Sequence, residues 1–252
     1  MQPSARKDRV YAIGICKAPP HLSKKEFEAK VNALMDEVRL LPAVQKHLVK
    51  LEAMFHNDLL ADHLKLLEFP TAERTALVMA QTETLDDFIE TVKDPDLLKL
   101  YEREHEFCTQ TKATAFCVDV VPKLGSPTSR DNAHSIGVYK VPRHLSVEEY
   151  TKRFHAVIDS WVGLLSTKEH GAKYEVWLPN LSAGYDEFQN LGFALPEPTF
   201  FIHAQSEAVE QMLEDMKNEE GQKIVLAATE EFGYAKEALL FGVDIVTKID
   251  KS

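Results

Sequence analysis

Cysteine is scarce in this chain: three in 252 residues, Cys16, Cys108 and Cys117, all before residue 125. So few thiols, confined to one half, make neither a disulfide framework nor a zinc pattern, and they point to a reducing, cytoplasmic setting. Their expected place is the core, as small apolar side chains. Positive charge is also short, with 29 Lys and Arg against 40 Asp and Glu and a net charge of −11. A chain of that sign is repelled by phosphates, which excludes general nucleic-acid binding. No apolar run reaches membrane-spanning length, and the opening MQPSARKDR is too polar for a signal peptide, so no membrane association is expected. There is no G-x-S-x-G elbow, no P-loop and no G-x-G-x-x-G. Ten histidines occur, none in H-x-x-x-H or H-E-x-x-H spacing, and no metal site is expected. HNDLLADH, from His56 to His63, reads as a loop and turn.

What the chain does have is an internal repeat. KAPPHLSKKEF starts at Lys17 and KVPRHLSVEEY at Lys140. Between residues 14–31 and 137–154, seven of eighteen positions are identical. KLEAMFHN (50–57) then faces KYEVWLPN (173–180), Phe69 faces Phe193, and FCVDVVPKL (116–124) faces FGVDIVTKI (241–249). The offset grows from 123 to 125, so the second copy carries two single-residue insertions. GSPTSRDN (125–132), polar and rich in turn formers, reads as a linker. The chain therefore divides into units 9–124 and 133–250, each of domain size.

Both units follow one plan. VYAIGICK has the β-branched and aromatic character of a strand. Ser23 with Glu26, and Ser146 with Glu149, form the S-x-x-E capping box that starts a helix. Phe27, Val31, Leu34 and Val38 share one helical face, repeated by Tyr150, Phe154, Val157 and Trp161. Strands near 48–56 and 75–81 follow. A helix then places Leu85, Phe88, Ile89 and Val92 on one side, and the last strand spans 113–121. The order is βαββαβ, a ferredoxin-like unit.

Such a unit covers one face of its sheet with helices and leaves the other bare. Alternation along the strands shows what the bare face carries. Ala12, Gly14 and Cys16 are small, as close helix packing requires, while Tyr11, Ile13 and Ile15 point the other way. The bare face is largely apolar in both units, so the two faces are expected to cover each other in cis, chains remaining free to associate through outer edges. The enclosed lumen receives Tyr11, Glu52, Met54, His56, Met79 and Gln81 from the first unit. It receives His134, Glu175, Trp177, Phe201, His203 and Gln205 from the second.

LSKKEFEAKV and LSVEEYTKRF are similar to the L-S-x-E-E-F-x-x-x-W stretch of the EthD-like proteins, a branch of the dimeric α+β barrel superfamily. The resemblance spans almost the whole chain, as a tandem fusion. It implies an α+β fold of two ferredoxin-like βαββαβ repeats packed sheet to sheet as an intrachain dimeric α+β barrel. It also implies binding of a small apolar or aromatic molecule between the sheets. The activities it implies are cyclisation, decarboxylation, dehydration or isomerisation, often without a cofactor. Other members of the superfamily are haem enzymes. The family's usual His, twelve residues after the motif Ser, is replaced here by Met35 and Ile158. The aromatic at plus eight is Val31 in the first copy and Phe154 in the second.

The leading expectation is a cofactor-independent lyase or isomerase acting on an apolar aromatic or polyketide-like metabolite in the lumen. Glu52 and Glu175, the acidic pair at matching strand positions, are the candidate acids and bases, since a carboxylate in an apolar cavity has a raised pKa. His134 and His203 replace Tyr11 and Met79 in the second copy and are the candidate proton carriers. Tyr11, Met54, His56, Met79, Gln81, Trp177, Phe201 and Gln205 are expected to contact the substrate. A non-catalytic small-molecule-binding or stress-response protein is the alternative, motivated by the missing family His. A haem protein with His134 or His203 as axial ligand is the third. Asp119 and Asp244, repeated on the small-residue side of the last strand, are read as structural.

Overall fold

The computed structural model describes residues 9–66, 69–70, 72–125, 132–164, 173–180, 183–194, 197–236 and 238–251. The linker expected at 125–132 lies almost wholly outside the described residues. The first repeat contributes strands β1 (Val10–Lys17), β2 (Leu48–Asn57), β3 (Thr75–Thr82) and β4 (Thr114–Leu124). The second contributes β5 (Ala133–Lys140), β6 (Lys173–Asn180), β7 (Thr199–Ser206) and β8 (Leu239–Asp250). Within each repeat the strands lie in the order fourth, first, third, second, all antiparallel. β2 then pairs with β8 and β4 with β6, also antiparallel, and the sheet closes into an eight-stranded barrel within one chain. Closure leaves none of these strands with an open edge.

The seams fix the symmetry. β2 runs opposite to β4 through the chain of antiparallel neighbours, and it also runs opposite to β8. β4 and β8 therefore point the same way, and the pseudo-twofold axis runs along the barrel. Equivalent residues of the two repeats emerge at the same end. Each seam carries an Asn–Asp hydrogen bond between repeats on its outer side. Asn57 Nδ2 donates to Asp244 Oδ1 at 2.8 Å, and Asn180 Nδ2 donates to Asp119 Oδ1 at 3.1 Å. The two repeated aspartates thus have a structural partner.

Helices Lys24–Val38 and Val147–Val162 lie on the outside. Ser23 Oγ accepts from the Glu26 amide, and the Glu26 carboxylate accepts from the Ser23 amide, completing the first capping box. At the second, Ser146 Oγ accepts from the Glu149 amide, but the Glu149 carboxylate is drawn to Arg153 instead. Phe27, Val31, Leu34, Met35 and Val38 are buried in the first repeat, and Tyr150, Phe154, Ile158 and Val162 in the second. Val157 and Trp161, expected on the buried stripe, flank it. Leu85, at the start of helix Leu85–Val92, is 40% exposed, whereas Phe88 and Val92 are buried as expected.

Each β2–β3 type connection reaches across to the other repeat. Helix Tyr185–Asn190 and the turn after it place Phe188 against Phe88 and Phe193 against Tyr101, with ring centroids 5.3 and 5.4 Å apart. Reciprocally, Leu60 and Leu64 of the first repeat cluster with Met212 of the second. Barrel and crossovers together bury three apolar layers. One fills the lumen, and one lies between sheet and helices on each side.

Candidate functional site

Strand alternation places the expected lumen residues on the inner face. Ile13, Met54, Leu77, Phe116, Ile136, Trp177, Phe201 and Phe241 fill the middle of the barrel and are all buried. Phe201 lies between Phe116 and Trp177, with centroids 5.9 and 6.0 Å away. Polar groups collect toward one end. In the first repeat Gln81 is registered opposite both Tyr11 and Lys50, and Met79 opposite Glu52. In the second Gln205 is registered opposite both His134 and Lys173, and His203 opposite Glu175. The pseudo-twofold along the barrel brings both groups to the same mouth.

The second repeat carries the connected set. Lys173 Nζ lies 3.0 Å from Glu175 Oε1, and His203 Nδ1 lies 3.8 Å from Glu175 Oε2. His203 Nε2 and His134 Nδ1 share a hydrogen bond of 3.2 Å, their rings stacked. Trp177 stands beside His203 at 5.4 Å, and its indole N–H is buried with no hydrogen-bond partner among the described residues. In the first repeat Glu52 Oε1 takes Lys50 Nζ at 2.8 Å and the Thr247 hydroxyl at 3.3 Å. Arg9 donates to Gln81 at 3.0 Å. His56 lies toward the other end, its ring 4.9 Å from Phe241. Ladder irregularities fall beside both glutamates, between Leu51 and Glu52 and between Pro122 and Leu124 opposite Glu175 and Tyr174.

The electrostatics correct two expectations. Burial alone would raise the Glu175 carboxyl, but His203 and the Lys173 ammonium outweigh it and hold the group down at about 2. Its carboxylate is therefore ionised rather than poised near neutrality. His134 does not titrate near neutrality either. Burial, then the His203 ring and the charges of Lys173 and Lys50, push it down to about 4.

A second place was missed by strand alternation. Between the outer face of the first sheet and its helices lies a cavity of about 110 Å³, lined by Gly14, Cys16, Val31, Met35, Val78 and Tyr101 among others. Phe188, Leu191 and Phe193 of the second repeat form part of its wall. The small side chains of β1 were expected to bring the helix close; here they leave space. Polar atoms in the lining are few: the hydroxyls of Thr91, Thr111 and Tyr101 and the thiols of Cys16 and Cys108. Burial pushes the Cys16 thiol up to about 12 and Cys108 to about 11, and raises the Tyr101 phenol, so all three are neutral near pH 7. Met35 and Ile158, where EthD-like proteins usually carry His, belong to the two helix–sheet layers and not to the lumen.

Haem does not suit these residues. His134 and His203 are engaged with each other, rings fill the barrel around them, and the cavity is far smaller than a tetrapyrrole and lined by no histidine.

No family model matches the sequence, and no curated protein matches it. Solved structures do. A proposed monooxygenase from Fusobacterium nucleatum is similar over 96% of this chain and 95% of its own, at 11% identity and a TM-score of 0.53. An anthrone oxidase-like protein is similar over 99% of this chain and 97% of its own, at 8% identity and a TM-score of 0.54. The fold is a dimeric α+β barrel closed within one chain. At these identities the likeness extends to the fold alone.

Proposed function

We propose that this protein binds a compact apolar molecule, about the size of one aromatic ring, in the helix–sheet cavity of its first repeat. The cavity itself carries the reading. At about 24 cal/mol per Å³, an empty space of about 110 Å³ would cost the fold roughly 2–3 kcal/mol, which an apolar occupant offsets. Apolar cavities of this order stay dry and accept small aromatic molecules. The neutral Tyr101 hydroxyl and the Cys16 and Cys108 thiols give such a ligand weak polar contacts and no strong base.

A second reading is favoured by the buried set at the barrel mouth. Glu175, His203 and Glu52 are 5, 7 and 6% exposed; burying such groups is costly unless they are paired, and buried clusters of titratable groups gather at functional sites. Here the protein is a cofactor-independent enzyme of small-molecule metabolism, a lyase or isomerase. Ionised Glu175 orients His203, the hydrogen bond between His203 and His134 passes a proton, and the Trp177 N–H donates to an oxygen of the substrate. The names of the two structural neighbours, a proposed monooxygenase and an anthrone oxidase-like protein, support an enzyme.

One experiment separates the two. The purified protein is incubated with a panel of ring-sized apolar and phenolic compounds and followed by native mass spectrometry and product analysis. Retention of a compound unchanged is expected. A product that disappears in Glu175→Gln establishes the enzyme reading, and neither retention nor product overturns both.

A further inference from the structure

The repeat supplies its own control for the cavity. β1 and β5 run through the same layer with the same central glycine, Gly14 and Gly137. Above Gly137 the Tyr139 ring lies so close that an added Cβ would sit 2.6 Å from it. Above Gly14 the nearest atoms to such a Cβ are those of Val78, at 3.9 Å. The position of Tyr139 in the second repeat is held by Cys16 in the first, that of Phe154 by Val31, and that of Phe200 by Ala76. The strand registers agree, since Cys16 pairs with Ala76 and Tyr139 pairs with Phe200. In the second repeat Tyr139 packs on Phe154 at 5.2 Å and on Tyr234 at 4.8 Å, and Phe154 on Phe200 at 5.2 Å. This aromatic cluster occupies the layer that is hollow in the first repeat.

Building on the binding reading above, we infer that the two repeats have divided their roles. The first keeps one ligand site, opened by Cys16 and Val31 and walled in part by Phe188 and Phe193 of the second. The second repeat has its matching site plugged by Tyr139, Phe154 and Phe200 and serves as scaffold and cover. One chain therefore takes one ring-sized apolar ligand, although its fold offers two equivalent places. Cys16 and Val31 set the size of that ligand, because they are the side chains whose larger counterparts fill the same space.

The test exchanges residues between the repeats and uses benzene as the probe. Melting is followed with and without saturating benzene, and bound molecules are located in benzene-soaked crystals. Wild-type protein is expected to hold one benzene, in the first repeat, and to melt higher in its presence. Cys16→Tyr with Val31→Phe is expected to lose the bound benzene and the benzene-dependent rise in melting. Tyr139→Cys with Phe154→Val is expected to gain a second benzene in the second repeat. Should that variant fail to fold, the wild-type stoichiometry and the filled variant decide alone. Two benzenes in wild-type protein, or one retained between the first sheet and its helices in the filled variant, overturn the division of roles. No benzene in wild-type protein overturns the binding reading itself, and one benzene in the lumen leaves binding standing but moves the site.

Discussion

At Glu175 two effects pull in opposite directions, and distance decides between them. Alternation along β6 is enough to turn this side chain inward, so its burial is legible from KYEVWLPN alone. Its ionisation is not legible there, because it depends on Lys173 at 3.0 Å and His203 at 3.8 Å, and the latter comes from another strand, 28 residues away in the chain. His134 follows the same logic with opposite chemistry. Its depressed value, near 4 against an ordinary 6.5, means that on acidification the unfolded chain takes up this proton before the folded one does. The stabilisation from neutral His134 is complete above about pH 6.5 and is lost as pH falls toward 4. Wild-type protein is therefore expected to lose stability across that window, with a contribution from this ring on the order of 2 kcal/mol, the full displacement being worth about 3 kcal/mol before solvent screening of a partly exposed ring reduces it. His134→Tyr, which installs the first repeat's residue, is expected to remove that part of the slope. Chemical denaturation at several pH values measures it, and equal slopes in both proteins would sink the assignment.

Among the elements, the strands and the two helices of each βαββαβ unit are readable from periodicity and capping, within a few residues at the ends, whereas helices Pro95–Arg103 and Glu219–Phe232 lie outside that plan. What periodicity could not give was how the ends of one repeat meet the other. The Asn57–Asp244 bond is an example: both residues are visible in the repeat, but their pairing exists only once β2 and β8 lie side by side. Gly242 belongs to the same seam. A Cβ there would stand 2.2 Å from Asn57 Oδ1, and Asn57 is buried and already engaged with Asp244 and the Leu59 amide. Cys117, at the matching place in the first repeat, shows that the backbone itself does not demand glycine. Cys117 is itself registered opposite Asn180, the counterpart of Asn57, so the demand comes from where the Asn57 amide stands and not from the pairing with an asparagine. Gly242→Ala is therefore expected to displace Asn57 and destabilise the protein by about 1–3 kcal/mol, the usual cost of overpacking. Asn57→Ala made together with Gly242→Ala should cost less than the sum of the two single changes. Additive losses in a double-mutant cycle would show that the clash is elsewhere.

At the scale of the molecule, duplication explains both closure and cavity. A lone repeat would expose Ile13, Met54, Leu77 and Phe116, which are 0, 0, 1 and 1% exposed in the closed barrel. It would also leave β2 and β4 as open edges and remove Phe188 and Phe193 from the wall of the first repeat's cavity. The pairing of apolar faces was legible in the sequence, because alternation alone shows that both bare faces are greasy. Strand alternation does not show the hollow, but the repeat carries its signal: aligning Cys16 with Tyr139 and Val31 with Phe154 shows lost volume on one side only. Cutting the chain within GSPTSRDN tests the dependence. With about 25 cal/mol lost for each Å² of apolar surface returned to water, each half is expected to be poorly soluble or self-associated when made alone. Mixing the halves should restore a one-to-one complex with the melting behaviour of the intact chain, read by gel filtration and thermal denaturation. A half that remains a well-folded monomer would mean that its inner face is covered from within the repeat, and the barrel would then owe nothing to the second copy.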